Sequence, residues 1–245
     1  MVRNVDYAAR RRAVLTATID AYIREAEPVA SEAVAQAFGL SSATIRNIFV
    51  ELEQGGYLTH PYTSGGRIPT EKGYRYYVDF LISQMELLSE EKKRIVEEYR
   101  QKLSRLDDVL EKTSRVISQI THYAGMVSLL EEQDKLFYRG LSYVLEQPEF
   151  QDYDRIRLLI RMIEEKQRLL EILNRDFTEP VKVYIGSELG CPEMANCSIV
   201  VTRFDMRNRP SGRIAVLGPA RMEYGHIIPT VEYVSHVLSE ALEQI

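Results

Sequence analysis

Histidine and cysteine are scarce in this chain of 245 residues. The four histidines, His60, His122, His226 and His236, are scattered and form no spacing that would gather an acid, a base or a metal shell on one element. The only cysteines, Cys191 and Cys197, stand in a Cys-x5-Cys arrangement without a nearby histidine, which is poor metal spacing and reads as two buried thiols. Nucleophile-elbow and zinc signatures are absent. Ser64-Gly65-Gly66-Arg67 has glycines but lacks the strand-to-helix setting of a phosphate loop. These absences argue against an enzyme, and no cofactor or metal is expected. No secretion signal and no long apolar run are present either, which argues for a cytoplasmic protein in a reducing compartment with no membrane partner.

A basic excess is lacking too, for the net charge is −5. Residues 1–80 hold nine Lys and Arg against nine Asp and Glu, so the whole imbalance lies beyond them. Placement matters more than the total where a polyanion is concerned, because affinity for a phosphate backbone follows the groups set against it. Arg10-Arg11-Arg12, Arg46, Arg67, Lys72 and Arg75 can form one face.

What the chain does have is concentrated between Ser41 and Arg75. Ser41-Ser42-Ala43-Thr44-Ile45-Arg46-Asn47 opens a helix, with Ser41 or Ser42 as its cap. Ala43, Ile45 or Ile48, Phe49 and Leu52 recur at helical spacing and are expected to face inward, leaving Ser42, Thr44, Arg46 and Asn47 outward. Gly55-Gly56 ends the helix. Tyr57-Leu58-Thr59-His60 reads as a strand, Pro61 to Gly66 as a turn, and Arg67-Ile68-Pro69 as the returning strand. Helix followed by a hairpin with a basic tip is a winged helix-turn-helix, and a helix of this kind fits the major groove of DNA. Arg46 and Asn47 are the expected base readers. Thr63, Ser64, Gly65 and Gly66 form the tip, where positive φ at the glycines would hold Arg67 against a phosphate or in a narrow minor groove. Lys72 and Arg75 complete the expected DNA-binding set.

Upstream, Arg11 to Glu25 has amphipathic spacing and a basic start that either touches phosphates or is merely solvated. Pro28 breaks the chain, Ser31 is placed to cap, and Val34, Ala35 and Phe38 supply a short helix ended by Gly39. After the wing, Thr70 to about Met85 reads as helix, with Tyr74, Tyr77, Val78 and Leu81 on one side. Ser89 to Ala124 holds no Gly or Pro and reads as one uninterrupted helix. Val96, Tyr99, Leu103, Leu106, Leu110, Thr113, Ile117, Ile120 and Ala124 step along it by alternating threes and fours, a heptad seam. Either that seam pairs two copies as a coiled coil, or the helix packs on its own C-terminal domain. Beyond Gly125, Met126 to Leu130 reads as a strand, and Lys135 to Leu145 and Arg155 to Asn174 as helices. Pro180 to Ile185, Ser198 to Thr202 and Arg213 to Leu217 are β-branched runs, and Ile227 to Leu242 closes as helix. The fold class is α+β with an antiparallel sheet. Three parts are expected: a winged-helix domain over 1–84, a helical linker over 85–124, and an α+β domain over 125–245.

Ser41 to Asn47, Glu51-Leu52-Glu53, Gly56-Tyr57-Leu58 and above all Thr63-Ser64-Gly65-Gly66-Arg67-Ile68-Pro69-Thr70-Glu71-Lys72-Gly73-Tyr74-Arg75 resemble the bacterial heat-inducible transcription repressor HrcA family. So do Tyr22-Ile23-Arg24 with Glu27-Pro28-Val29 and Ser31, Val183 to Glu188, Cys197-Ser198 and Gly218 to Tyr224. The resemblance implies a repressor that binds an inverted-repeat operator on double-stranded DNA as a homodimer, controls chaperone operons, and is folded with help from a chaperonin. It also implies a GAF-like C-terminal domain. Two departures stand out. Between Val127 and Gly140 the family's further strands and inserted dimerising domain are missing, and Ile48-Phe49-Val50 replaces an acidic residue, Met and Ala, which bears on operator preference. In place of the insertion, dimerisation is expected through Val96, Tyr99, Leu103, Leu106, Leu110, Ile117 and Ile120. Two other readings stay open on the sequence alone: a regulator whose C-terminal domain senses a small molecule, and an interaction module that has lost DNA binding.

Overall fold

The computed structural model describes residues 2–61, 66–82, 87–99, 105–130, 135–175, 177–206 and 209–243. It divides into two compact units, Met1–Leu81 and Ile82–Ile245.

The first unit is a winged helix. Helix α1 (Val2–Glu25) buries Val14, Leu15, Thr18, Ile19 and Ile23 along one stripe. Helix α2 (Ser31–Phe38) ends at Gly39, whose φ of 60° is the left-handed cap that glycine adopts without a Cβ penalty. Its N-cap position is Ala30 rather than Ser31, so the expected capping role of Ser31 is not the one observed. Helix α3 (Ser42–Gln54) is followed by strands β1 (Leu58–Thr59) and β2 (Ile68–Pro69), paired antiparallel with Leu58 opposite Pro69 and Thr59 opposite Ile68. Arg67 and Val29 exchange two backbone hydrogen bonds of 2.9 Å, adding the α1–α2 connection to this small sheet.

Helix α4 (Glu71–Leu81) is locked to the wing by the residues around its start. Thr70 Oγ1 accepts from the Gly73 amide at 3.1 Å and donates to the Gly56 carbonyl at 2.6 Å. A Cβ on Gly73 would stand 2.3 Å from the Tyr57 carbonyl oxygen, so only glycine permits this approach.

The second unit is α+β. Helices α5 (Ser89–Tyr99) and α6 (Leu106–Thr121) precede β3 (Ala124–Leu129) and β4 (Leu136–Arg139); then come α7 (Leu141–Leu145), α8 (Tyr153–Glu164), α9 (Lys166–Leu173), β5 (Val181–Ile185), β6 (Cys197–Met206), β7 (Arg209–Pro219) and α10 (Tyr224–Leu242). The five strands form one antiparallel sheet in the order β4-β3-β7-β6-β5. Its two faces are both apolar. Met126, Ile199, Val201, Ala215 and Leu217 pack with Leu159 and Met162 of α8 and Leu169, Leu170 and Leu173 of α9. The alternate residues Val127, Val200, Ile214 and Val216 are fully buried on the opposite side, and α6 and α10 lie against β3 and β6.

Three expectations from the sequence are corrected here. Ser89 to Ala124 is not one helix. Arg105 is extended, with φ −117° and ψ 134°. The Tyr99 hydroxyl donates to Thr113 Oγ1 at 2.7 Å, although fourteen residues of continuous helix would separate the two by about 21 Å. The chain therefore folds back between them. In α5 the fully buried residue is Ile95, whereas Val96 is 39% exposed, so the expected seam is not the packed stripe there. In α6, Val109, Leu110, Thr113, Val116 and Ile117 are buried inside their own unit, and Leu106 and Ile120 are half-buried at its margin. Leu103 lies outside the described residues. Leu110, Thr113 and Ile117 of the heptad spacing thus pack within the monomer, and the surface they bury there is not free to pair two copies.

Lys135 to Leu145 is a strand and a short helix rather than one helix, because Leu136 to Arg139 pair with β3 and Gly140 turns the chain with φ 80°. Arg155 to Asn174 is split into α8 and α9 at Glu165, whose ψ of 58° is outside the helical range.

Candidate nucleic-acid interface

Helix α3 has a sealed inner face and an open outer one. Ile45, Ile48, Phe49 and Leu52 are at most 3% exposed. Ala43, Arg46, Asn47 and Val50 are exposed, with Ser42 and Thr44 partly so. Ala43 was expected inward; the stripe set by positions 45, 48, 49 and 52 places it outward instead. Of the two candidate caps, Ser41 takes the role: its Oγ accepts from the Thr44 amide at 3.1 Å and lies 2.8 Å from the Thr44 hydroxyl.

Arg46 projects from this face but is held on one edge. Its Nε donates to Ser31 Oγ at 3.3 Å and its Nη2 to Glu32 Oε1 at 2.7 Å, while Ser31 Oγ donates to Glu32 Oε2 at 3.1 Å. The three side chains close a ring across α2 and α3. The hydrogen bond from Arg46 holds the Glu32 carboxyl below its ordinary range, with bonds from the Glu32 backbone and Ser31 adding to the effect. Neither Ser31 nor Glu32 stood out in the sequence as part of a DNA site. Glu32 and Ser31 stand on one helix and Arg46 on another, so no periodicity within a single element pairs them and only the folded arrangement brings them together.

The wing residues are engaged differently from expectation. Arg67 is not at the tip: it lies beside Val29 at the base, its guanidinium 3.1 Å from Glu53 Oε2 and only 20% exposed. His60 also contacts Glu53. A Cβ on Gly66 would stand 2.6 Å from the Pro28 and Val29 backbone, so close approach explains the glycine. Thr63, Ser64 and Gly65 lie outside the described residues. Lys72 Nζ donates to the Gly55 carbonyl at 2.8 Å and stands 4.5 Å from the Tyr57 ring centroid, a favourable place for a cation at the C-terminal end of α3. Arg75 faces Asp79 one turn on, at 3.7 Å. At the start of α1, Arg11 lies 3.8 Å from Glu51, and Tyr7 donates to the same carboxylate at 2.7 Å. Arg12 is exposed.

The C-terminal motif is structural in its contacts. Arg221 donates from Nε to Glu149 Oε1 at 2.6 Å and from Nη2 to Gln147 Oε1 at 2.9 Å. The Tyr224 hydroxyl lies 2.6 Å from Ser198 Oγ and donates to the Ala220 carbonyl at 2.6 Å.

Residues 6–79 match the model of the winged helix-turn-helix transcription repressor, HrcA DNA-binding family, and residues 128–228 match the HrcA protein C-terminal domain. A heat-inducible transcription repressor HrcA of Geobacter sulfurreducens is 30% identical across 97% of this chain and 99% of its own length. The chain belongs to the HrcA family of heat-inducible transcription repressors. It is a DNA-binding repressor and not an enzyme. The HrcA repressor of Pelotomaculum thermopropionicum is 28% identical over 96% of this chain and 97% of its own. A crystal structure described only as that of a hypothetical protein superposes with a TM-score of 0.79 over 96% of this chain and 98% of that one at 19% identity, which establishes a common fold. The Geobacter alignment runs over 338 positions against 245 residues here, so at least 93 of its positions have no counterpart in this HrcA repressor. No helix among the described residues is long and apolar enough to cross a membrane.

Proposed function

We propose that this HrcA-family repressor binds an inverted-repeat operator as a homodimer in the cytoplasm. In this reading α3 lies in the major groove, Arg46 and Asn47 face base edges, and the wing follows the backbone with Ser42, Thr44, Arg67 and Arg75 in supporting contacts. The reading rests on one observation above all: the outer face of α3 carries Arg46 and Asn47 exposed, over an inner face anchored by four buried apolar side chains. The dimer follows from geometry, since an inverted repeat matches two heads related by a twofold axis and one small head offers few contacts at physiological salt. The family resemblance extends the reading to chaperone operons as the regulated genes and to a chaperonin as folding partner.

Selection of bound DNA from a random pool tests it, with an inverted repeat as the expected product and sedimentation of the complex giving two protomers. Arg46→Ala should cost about 1 to 3 kcal/mol and blur the preference at one position of each half-site. Arg67→Ala should weaken all sequences alike and reduce the salt dependence. A selected sequence unchanged by Arg46→Ala would remove Arg46 from the set of base readers.

A further inference from the structure

We propose that Glu32 and Ser31 are positioning residues that fix the base Arg46 reads, and that this base is a guanine; the inference rests on the DNA-binding reading above. A guanidinium has five N–H donors in one plane. Here the edge bearing Nε is held by Ser31 Oγ and Glu32 Oε1, and Ser31 is itself held by the other oxygen of Glu32. Both carboxylate oxygens are therefore engaged and the ring is closed. The opposite edge, with both Nη1 hydrogens, makes no hydrogen bond among the described residues. It can present two parallel donors, one from Nη1 and one from Nη2, which match the O6 and N7 acceptors of guanine in the major groove and no pair of atoms on the other bases.

The placement across two helices gives this arrangement its force. Glu32 stands in the first turn of α2, so its carboxylate is at the favourable end of that helix for a negative charge. Arg46 stands in the second turn of α3, where a recognition helix approaches base edges. An arginine free to sample its rotamers can drop onto the nearest phosphate on any sequence. One held by Glu32 is withdrawn from that choice, and its ordering cost is met before DNA arrives. Glu32 also places a negative charge beside the backbone, which disfavours non-specific complexes. Discrimination, rather than affinity, is what this pair sets.

The test uses the full chain and the operator selected by the wild type, together with versions substituted at each position of the half-site and an unrelated duplex. Glu32→Ala should lower discrimination at one G·C pair roughly tenfold, while affinity for the unrelated duplex stays the same or rises severalfold. Glu32→Gln, which can still accept from Arg46, should recover part of that discrimination. In an Arg46→Ala background Glu32→Ala should change nothing further at that base pair, since the effect travels through Arg46. If Glu32→Ala raises affinity for every duplex by one common factor and leaves base preference intact, Glu32 is only a charge that weakens binding and the inference fails. It fails equally if the position sensitive to Arg46 prefers a base other than guanine. Should the wild type select no sequence at all, the DNA-binding reading falls first, an outcome distinct from both. Unchanged circular dichroism melts of the variants separate these results from unfolding.

Discussion

In the N-terminal unit the arginine of the recognition helix sits in an ion pair whose members are 62% and 58% exposed, whereas in the C-terminal unit the arginine of the Gly218 to Tyr224 motif is held by a carboxylate with exposures of 9% and 20%. The first pair lies in water, where an ion pair adds little to folding stability, and the outer edge of its guanidinium stays open to a base. The second pair has been taken out of water. Removing Arg221 leaves the Glu149 carboxylate partly buried without its charged partner, whereas removing Glu149 leaves the guanidinium with Gln147. Two arginines in two family motifs thus have opposite duties: Arg46 is available to a ligand, and Arg221 fastens the segment around Gln147 and Glu149 to the turn after β7. Arg67, with 20% exposure beside Glu53, falls nearer to the second kind than its place in a wing motif suggests.

Arg221→Ala is the strongest way to break that comparison. It should destabilise the protein by about 3 kcal/mol or more, read as a shift of the denaturant midpoint at unchanged slope. Arg46→Ala in the same assay should stay within about 0.5 kcal/mol of wild type. Equal shifts for the two would show that exposure is not what separates them.

A contrast inside the second unit comes next in size. Ile117 is fully buried and Val96 is 39% exposed, although both belong to one heptad pattern. Ile117→Ala should cost about 2 to 5 kcal/mol through the cavity it leaves, and Val96→Ala less than about 0.5 kcal/mol. Neither loss should depend on protein concentration. A concentration-dependent loss for Ile117→Ala would restore the pattern to an interface between copies.

The sequence disclosed much of the N-terminal unit because its signals are local. Gly39 and Gly56 mark helix ends by positive φ, Pro69 closes the second strand, and positions 45, 48, 49 and 52 form one apolar stripe. The break at Arg105 had no such signal. Residues 89 to 124 are all tolerable in a helix, and steps of three and four fit a helix lying on its own sheet as well as they fit a coiled coil. Tertiary packing decided between them. β4 escapes the sequence pattern for a related reason: Leu136-Phe137-Tyr138 is short enough to serve in either kind of element, and its pairing partner β3 settles the matter. At the interface, Arg46 and Asn47 were recognisable from helix position. The engagement of Arg67 by Glu53, of Lys72 by the Gly55 carbonyl and of Arg46 by Ser31 and Glu32 was not, because these partners meet only through the packing of separate elements.

The smallest expected effect concerns Tyr99, where the break between α5 and α6 can be read by titration. Burial is the main cause that raises its phenol pKa above the ordinary 10.0; the hydrogen bond to Thr113 acts the other way and Glu98 adds a little to the rise. Its neutral form is therefore favoured in the folded state. Below pH 10 the phenol is neutral in both folded and unfolded chains, so its contribution to stability is fully present there. As pH rises beyond 10 the unfolded chain releases this proton first, and stability declines until the folded group titrates as well. Tyr123 and Tyr184 are raised above 10.0 by the same burial, and Cys197 is pushed up to about 12, so the wild type should lose stability steadily on the alkaline side. Tyr99→Phe removes one term of that decline. At pH 7 it should cost about 0.5 to 1.5 kcal/mol, the worth of the bond to Thr113. By pH 11 the gap to wild type should have narrowed. Denaturant midpoints of the two proteins at pH 7, 9, 10 and 11 give the comparison, and a gap that stays constant to pH 11 would show that Tyr99 is solvated, as it would be on the outside of one continuous helix.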